Sequence, residues 1–107
     1  DFTDGLSTVL KLRPRAYTYN GRGGPGYDDA DTHIGFVAQE AEPVAPYLVQ
    51  TGVGVIGGAE VGDFKYYQGH ALPFIIVNAI KEQQKQIEEL KAENSALKNR
   101  IEILENK

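Results

Sequence analysis

Residues 76–104 read IVNAIKEQQKQIEELKAENSALKNRIEIL. Within this stretch Ile76, Ile80, Gln83, Ile87, Leu90, Asn94, Leu97, Ile101 and Leu104 recur at alternating steps of four and three. That spacing is a heptad, with Ile80, Ile87, Asn94 and Ile101 at a and Ile76, Gln83, Leu90, Leu97 and Leu104 at d. From Lys81 onward the intervening residues are charged, amide or small, apart from Ile103, and no Gly or Pro follows Pro73. A helix with so narrow an apolar seam cannot cover it alone. From Ile76 onward it would extend ~45 to 50 Å, further than the diameter of a domain built from the rest of the chain. Self-association is the simplest consequence.

The flanking charges indicate how copies would align. In a parallel, in-register coil a g residue faces the next e residue of its neighbour, which pairs Glu93 with Lys98 and Arg100 with Glu105. Exposed pairs of this kind contribute only ~0.2 to 1 kcal/mol each, so they select orientation more than they stabilise. Polar Gln83 and Asn94 weaken the seam and specify its register. Ile at a, Leu at d and a buried Asn at a favour two strands in model coils, while Gln at d says little.

The remainder is one small domain. The chain has 107 residues, and without the coil its globular part lies near the lower limit for a self-sufficient core. We divide it into a head, 1–75, and a coil segment, 76–107. The net charge is −4 with no basic patch, which argues against a nucleic-acid partner. Absence of cysteine excludes disulfides and thiolate metal sites. No apolar run reaches membrane-spanning length and no signal peptide is evident. A chain that starts at Asp1 is expected to be a processed product or an excised piece.

Taken in order, residues 3–12 predict a short helix capped by Thr3 or Asp4, with Leu6, Val9 and Leu10 on its apolar side and Pro14 ending it. Residues 15–20 alternate like a strand, with Tyr17 and Tyr19 on one side. Gly21, Gly23 and Gly26 spell a G-x-G-x-x-G string, but Pro25, Asp28, Asp29 and Asp31 follow where a phosphate-binding helix would have to begin. A solvated hairpin tip is the better account, and the aspartates lack the glycine and distal glutamate of a calcium loop. Residues 33–40 start β-like and run into a short helix near 39–42. Residues 48–49 suggest another strand, 51–63 a flexible excursion or hairpin, and 64–67 the last strand. Pro73 suits the first turn of the long helix. Its start is apolar nearly all round (Leu72, Phe74, Ile75, Ile76, Val77, Ile80), which predicts burial in the head.

Chemistry-bearing constellations are sparse. His33 and His70 are far apart with no third ligand at metal spacing, so neither a metal nor another cofactor is expected. Ser7 and Lys11 stand four apart, but a Ser–Lys dyad needs a desolvated lysine, and a short, half-exposed helix does not provide one. From the residues alone, the chain is an α+β module without catalysis.

Three blocks then carry a resemblance. Leu-Lys-Leu-Arg-Pro-Arg-Ala-Tyr-Thr-Tyr (10–19), Gly-Phe-Val-Ala-Gln-Glu (Gly35, Phe36, Val37, Ala38, Gln39, Glu40), and Tyr67 followed by a helix bearing Val-Asn-Ala-Ile-Lys-Glu-Gln-Gln (77–84) closely resemble the peptidase S74 family. This family is the C-terminal intramolecular chaperone domain of bacteriophage tailspikes, tail fibres and endosialidases; myelin regulatory factors carry a related domain. The resemblance implies a small α+β head of short helices and hairpins followed by a parallel trimeric coiled coil. It implies a homotrimer that aligns three chains and promotes folding of an upstream fibre domain of the same polypeptide. The setting would be the host cytoplasm during virion assembly, or a bacterial surface or secreted fibre. Release in the family uses a serine and a nearby lysine in a Ser-Asp block before the first helix. That block is missing from this sequence, so the chain as given is expected not to cleave itself, and the dyad is not transferred to Ser7 and Lys11. The alternatives are a permanent trimerisation or adhesin module, or a dimeric regulatory coil.

Overall fold

The computed structural model describes residues 1–18 and 31–107. Helix α1 spans Leu6–Lys11, strand β1 Arg15–Tyr17, strand β2 His33–Gly35 and helix α2 Ala38–Ala41. A 3₁₀ turn at Pro46–Leu48 leads into strands β3 (Val49–Ile56) and β4 (Ala59–Tyr67), and helix α3 runs from Leu72 to Glu105. The architecture is therefore short helices, two antiparallel hairpins and one long C-terminal helix. The glycine string at 21–26, with Asp28, Asp29 and Tyr19, lies outside the described residues.

Both sheets are two-stranded. β1 pairs antiparallel with β2, setting Arg15 against Gly35 and Tyr17 against His33. β3 pairs antiparallel with β4, from Val49 opposite Tyr67 to Ile56 opposite Ala59. The glycine-rich stretch at 51–63 is thus a hairpin rather than a loose excursion. Gly57 and Gly58 form its two-residue turn with φ of 60° and 84°, the left-handed pair that matches the twist of flanking strands. A register shift between Gly52 and Gly54 bends the hairpin midway. A Cβ at Gly54 would run into the Phe64 ring.

The core is small. Leu12, Ala41, Ala45, Leu48 and Ile75 are buried together, with Val9, Phe36, Val44, Val49, Tyr67, Ala71 and Leu72 packed against them. Pro46 opens the 3₁₀ turn and delivers Leu48 into this cluster, where its side chain is fully enclosed. Tilted rings of Phe36 and Tyr67, 5.4 Å apart, close one side. One helix of the tail, through Ile75, thereby completes the core of the head.

Beyond that contact α3 projects. Its 34 residues reach about 51 Å at 1.5 Å each, and the molecule measures 79 × 34 × 17 Å with a radius of gyration of 22.2 Å. A compact chain of this length would have about 13 Å. The extended shape fits a coiled-coil tail.

Candidate functional site: the faces of the long helix

Ile75 and Ala79 are the buried residues of α3, and Asn78 beside them is half-buried. They define the side of the helix turned to the head. The expectation that the whole apolar start would be buried is corrected here. Only Ile75 is enclosed and Leu72 half-buried, whereas Phe74 is 64% exposed, Val77 48% and Ile80 59%. The reason is geometric: one small head lies along one side of the cylinder and leaves the other apolar sides open.

The head-facing side is also polar where it meets the start of the chain. Asn78 Nδ2 donates to the carbonyls of Phe2, at 3.1 Å, and Asp4, at 2.9 Å. The Leu6 amide donates to Glu82 Oε2 at 3.2 Å. Helix α1 therefore has no side-chain cap of its own from Thr3 or Asp4; its N-cap is Gly5, and the carboxylate that meets the first free amide comes from α3, 76 residues away. Gly5 makes this approach possible. A Cβ there would lie 2.5 Å from Glu82 Oε1, 2.9 Å from Asn78 Cβ and 3.1 Å from the Ala79 nitrogen. Asp4 also accepts a 2.5 Å hydrogen bond from the Tyr47 hydroxyl, and the Phe2 ring stands edge-on to Tyr47 at 5.4 Å. Burial of the Tyr47 hydroxyl and the adjacent Asp4 carboxylate push its pKa up to about 12.

Sequence reading missed Asn78 and Glu82 as clamp residues, because both fall between heptad positions. The available signal was Asn78 itself, a lone amide inside the apolar run Phe74–Ile80. An amide there needs a partner, and main-chain carbonyls outside regular structure provide one.

Ile76, Ile80, Gln83, Ile87, Leu90, Asn94, Leu97, Ile101 and Leu104 all lie on α3 and all are exposed in the single chain, as are Glu93, Lys98, Arg100 and Glu105. Leu90, Leu97 and Ile101 each leave more than half their surface open. Ile80, Ile87, Leu90, Leu97, Ile101 and Leu104 form a row of exposed aliphatic side chains along α3.

The 35–40 block, by contrast, builds the head. Gly35 ends β2, Phe36 packs on the core, Val37 is the N-cap of α2, and Ala38 is buried beneath that helix. Glu40 points back to β1 and accepts two hydrogen bonds from Arg15, Nε to Oε1 at 2.9 Å and Nη2 to Oε2 at 2.7 Å. The Arg15 fork holds the Glu40 carboxyl below its ordinary pKa, against a smaller desolvation effect, and raises that of Arg15. Gln39 is exposed. Next to this pair Lys65 of β4 donates to Glu42 at 2.9 Å and to Thr51 at 3.2 Å, tying the second hairpin to the end of α2. Two blocks separated in sequence, 10–19 and 35–40, thus meet through Arg15 and Glu40.

Ser7 and Lys11 are both exposed on α1. Among the described residues no group of His, Asp or Glu side chains could hold a metal ion, and no helix is long and apolar enough to cross a membrane.

A family model matches residues 1–50: Peptidase_S74, chaperone of endosialidase. No curated protein matches the chain. The matched residues include α1, both strands of the first hairpin, α2 and the 3₁₀ turn, and so both motif blocks joined by Arg15 and Glu40. Over residues 1–50 this chain is thus similar to the Peptidase_S74 family, the chaperone of endosialidase, in agreement with the resemblance carried by those two blocks.

Proposed function

We propose that this chain is an intramolecular chaperone that joins three copies of itself through α3 and promotes folding of an upstream fibre or tailspike-like domain. The observation that carries the reading is the combination of the family match at 1–50 with an uncovered heptad seam on a 34-residue helix. The mechanism is kinetic and entropic. Interwound fibre chains have few contacts within one chain, so nucleation is slow and aggregation competes. Joining three chains raises their effective concentration to roughly the millimolar range, and a parallel coil fixes their register. Glu93–Lys98 and Arg100–Glu105 select orientation; Gln83 and Asn94 restrict register.

The head at 1–75 would sit at the client end and the coil, 76–107, would hold it in threefold alignment. The second hairpin is a reasonable contact for the client. Val53, Val55 and Ile56 are exposed near its tip, and a two-stranded sheet offers both edges for pairing. Such a client belongs to a phage tail protein assembling in the host cytoplasm. Self-cleavage, where the family performs it, is not assigned to Ser7 and Lys11. A Ser7→Ala chain that loses self-processing in its parent protein would reverse that assignment.

Molar mass by light scattering, on the wild type and on Asn94→Asp, tests the assembly. A trimer that loosens with the substitution is the expected result. A stable dimer would move the assignment to a regulatory coiled-coil module, and a monomer at micromolar concentration would remove self-association altogether.

A further inference from the structure

Phe2, His70, Ala71, Phe74, Val77 and Asn78 line an open, mostly apolar groove of about 480 Å³ at the base of α3. It is a composite of two distant segments. Asn78 fixes the Phe2 backbone, which sets the Phe2 ring beside the helix. Among the described residues nothing covers Phe74 or Val77.

The position of this groove on the helix says what can cover it. At ~100° per residue, the head-facing residues Ile75, Asn78, Ala79 and Glu82 share one side of the cylinder. The first seam residues, Ile76, Ile80, Gln83 and Ile87, centre roughly 120° further round. Phe74 and Val77 centre roughly another 120° on. The seam therefore has a different neighbour on each flank: the chain's own head on one and the open groove on the other. When parallel helices turn their seams to a common axis and the ring closes, the leading flank of each copy faces the trailing flank of the next. Whatever the number of copies, the head of one then faces the groove of its neighbour.

We infer that the Phe2–Phe74–Val77 groove receives the head of an adjacent copy of this chain. The contact is heterologous, head onto helix, and closes the ring outside the coil. The inference rests on the self-association proposed above. It accounts for a helix start that is apolar all round although its own head covers one side. The head has apolar surface to offer, including Leu10 on α1, 74% exposed.

The test uses p-benzoylphenylalanine in place of Val77 in the whole chain, with photo-cross-linking in the assembled state and peptide mapping. A mixture of isotopically light and heavy chains separates links between copies from links within one. Cross-links from position 77 into residues before Leu72 of a different copy are expected. Links confined to one chain, or reaching only the neighbour's α3, would overturn the inference. In parallel, Val77→Glu should raise the concentration at which the assembly half-dissociates by about tenfold or more, with helix content unchanged by circular dichroism. Dissociation at the wild-type concentration would also overturn it. A wild type that assembles while both Val77 experiments fail removes the groove contact alone. A wild type that stays monomeric removes the contact and the proposed function together.

Discussion

The two ends of α3 are built from one continuous helix and behave as different kinds of surface. At its start, Ile75 and Ala79 are buried by the chain's own head and Asn78 and Glu82 hold the segment from Phe2 to Leu6. From Ile80 onward every residue is exposed, and among the described residues nothing covers the aliphatic seam. The difference teaches where stability resides. The start of the helix is held by contacts within one molecule. An isolated helix of the remaining turns, with polar residues around most of its circumference, gains little from propensity alone, and under the proposed function its order is coupled to assembly.

The most direct way to break this contrast is Leu97→Asp. In an assembled coil it removes a buried leucine from every copy and places a carboxylate in the seam. The expected cost is about 2 to 5 kcal/mol per copy, enough to dissociate the assembly at micromolar concentration. Light scattering should report monomers, and circular dichroism should lose part of its helical signal while the near-ultraviolet signal of the head tyrosines persists. An unchanged mass would mean that the seam is an ordinary solvated face.

At the other end of the helix, Gly5→Val should act on the head and not on the coil. The new Cβ would press on Asn78 and on the Ala79 backbone, and only the Glu82 side chain can swing clear. Overpacking of this kind costs about 1 to 3 kcal/mol. Thermal unfolding of the head should shift downward, while Gly5→Ser, with the same Cβ and a smaller side chain, should lose less. If neither substitution lowers the melting temperature, the close seating of Gly5 on α3 is not a determinant of stability.

Much of this arrangement was legible in the sequence, and the illegible parts share a cause. The heptad places α3 and its seam because a period of 3.5 is a local property. Pro14 and Pro73 mark element ends by their own backbone preferences. The residues 3–12 predict a helix, but its observed start at Leu6 is set by Glu82, a partner 76 positions away that no local signal identifies. The same holds for which apolar side of α3 the head covers. Phe74, Ile75 and Ile76 are equivalent in hydropathy, and only the packing of Leu12, Leu48 and Ala45 decides for Ile75. At 51–63 glycine content leaves a flexible excursion and a hairpin both open, and the pairing of β3 with β4 decides for the hairpin. The role of Glu40 needed the fold as well, because Arg15 comes to it through the pairing of β1 with β2.

Smaller effects sharpen the contrast at the clamp. Asn78→Ala removes two hydrogen bonds whose carbonyl acceptors are close enough to the surface to be rehydrated, so the expected loss is about 1 to 2 kcal/mol. Hydrogen exchange should accelerate at the Leu6 amide and its neighbours, with molar mass unchanged. Alkaline titration reads the same corner. Tyr47 keeps its proton to about pH 12 in the folded chain, while an unfolded tyrosine loses it near pH 10. The folded state therefore binds more protons between these values, and its stability falls as pH rises through that window. Because Tyr47 is 40% exposed, the slope is shallow. Tyr47→Phe should flatten it.

The smallest expected effect belongs to the pair joining the two family blocks. Glu40 is held below its ordinary pKa by the Arg15 fork, so the folded state binds fewer protons than the unfolded one in the acid range. The stability it contributes is present above the usual carboxylate pKa and is lost as pH falls through the lowered folded value. Both side chains are more than a third exposed, and exposed pairs are screened by solvent and salt. Glu40→Gln should accordingly change the melting temperature little at neutral pH and remove part of the decline on acidification. Added salt should mimic the substitution in the wild type and do nothing further in the variant. A large neutral-pH loss on Glu40→Gln would mean that the carboxylate does more than tie α2 to β1. Its exposed position would then point to a contact with another chain, and the head would depend on its neighbours as the proposed function expects of the far end of α3.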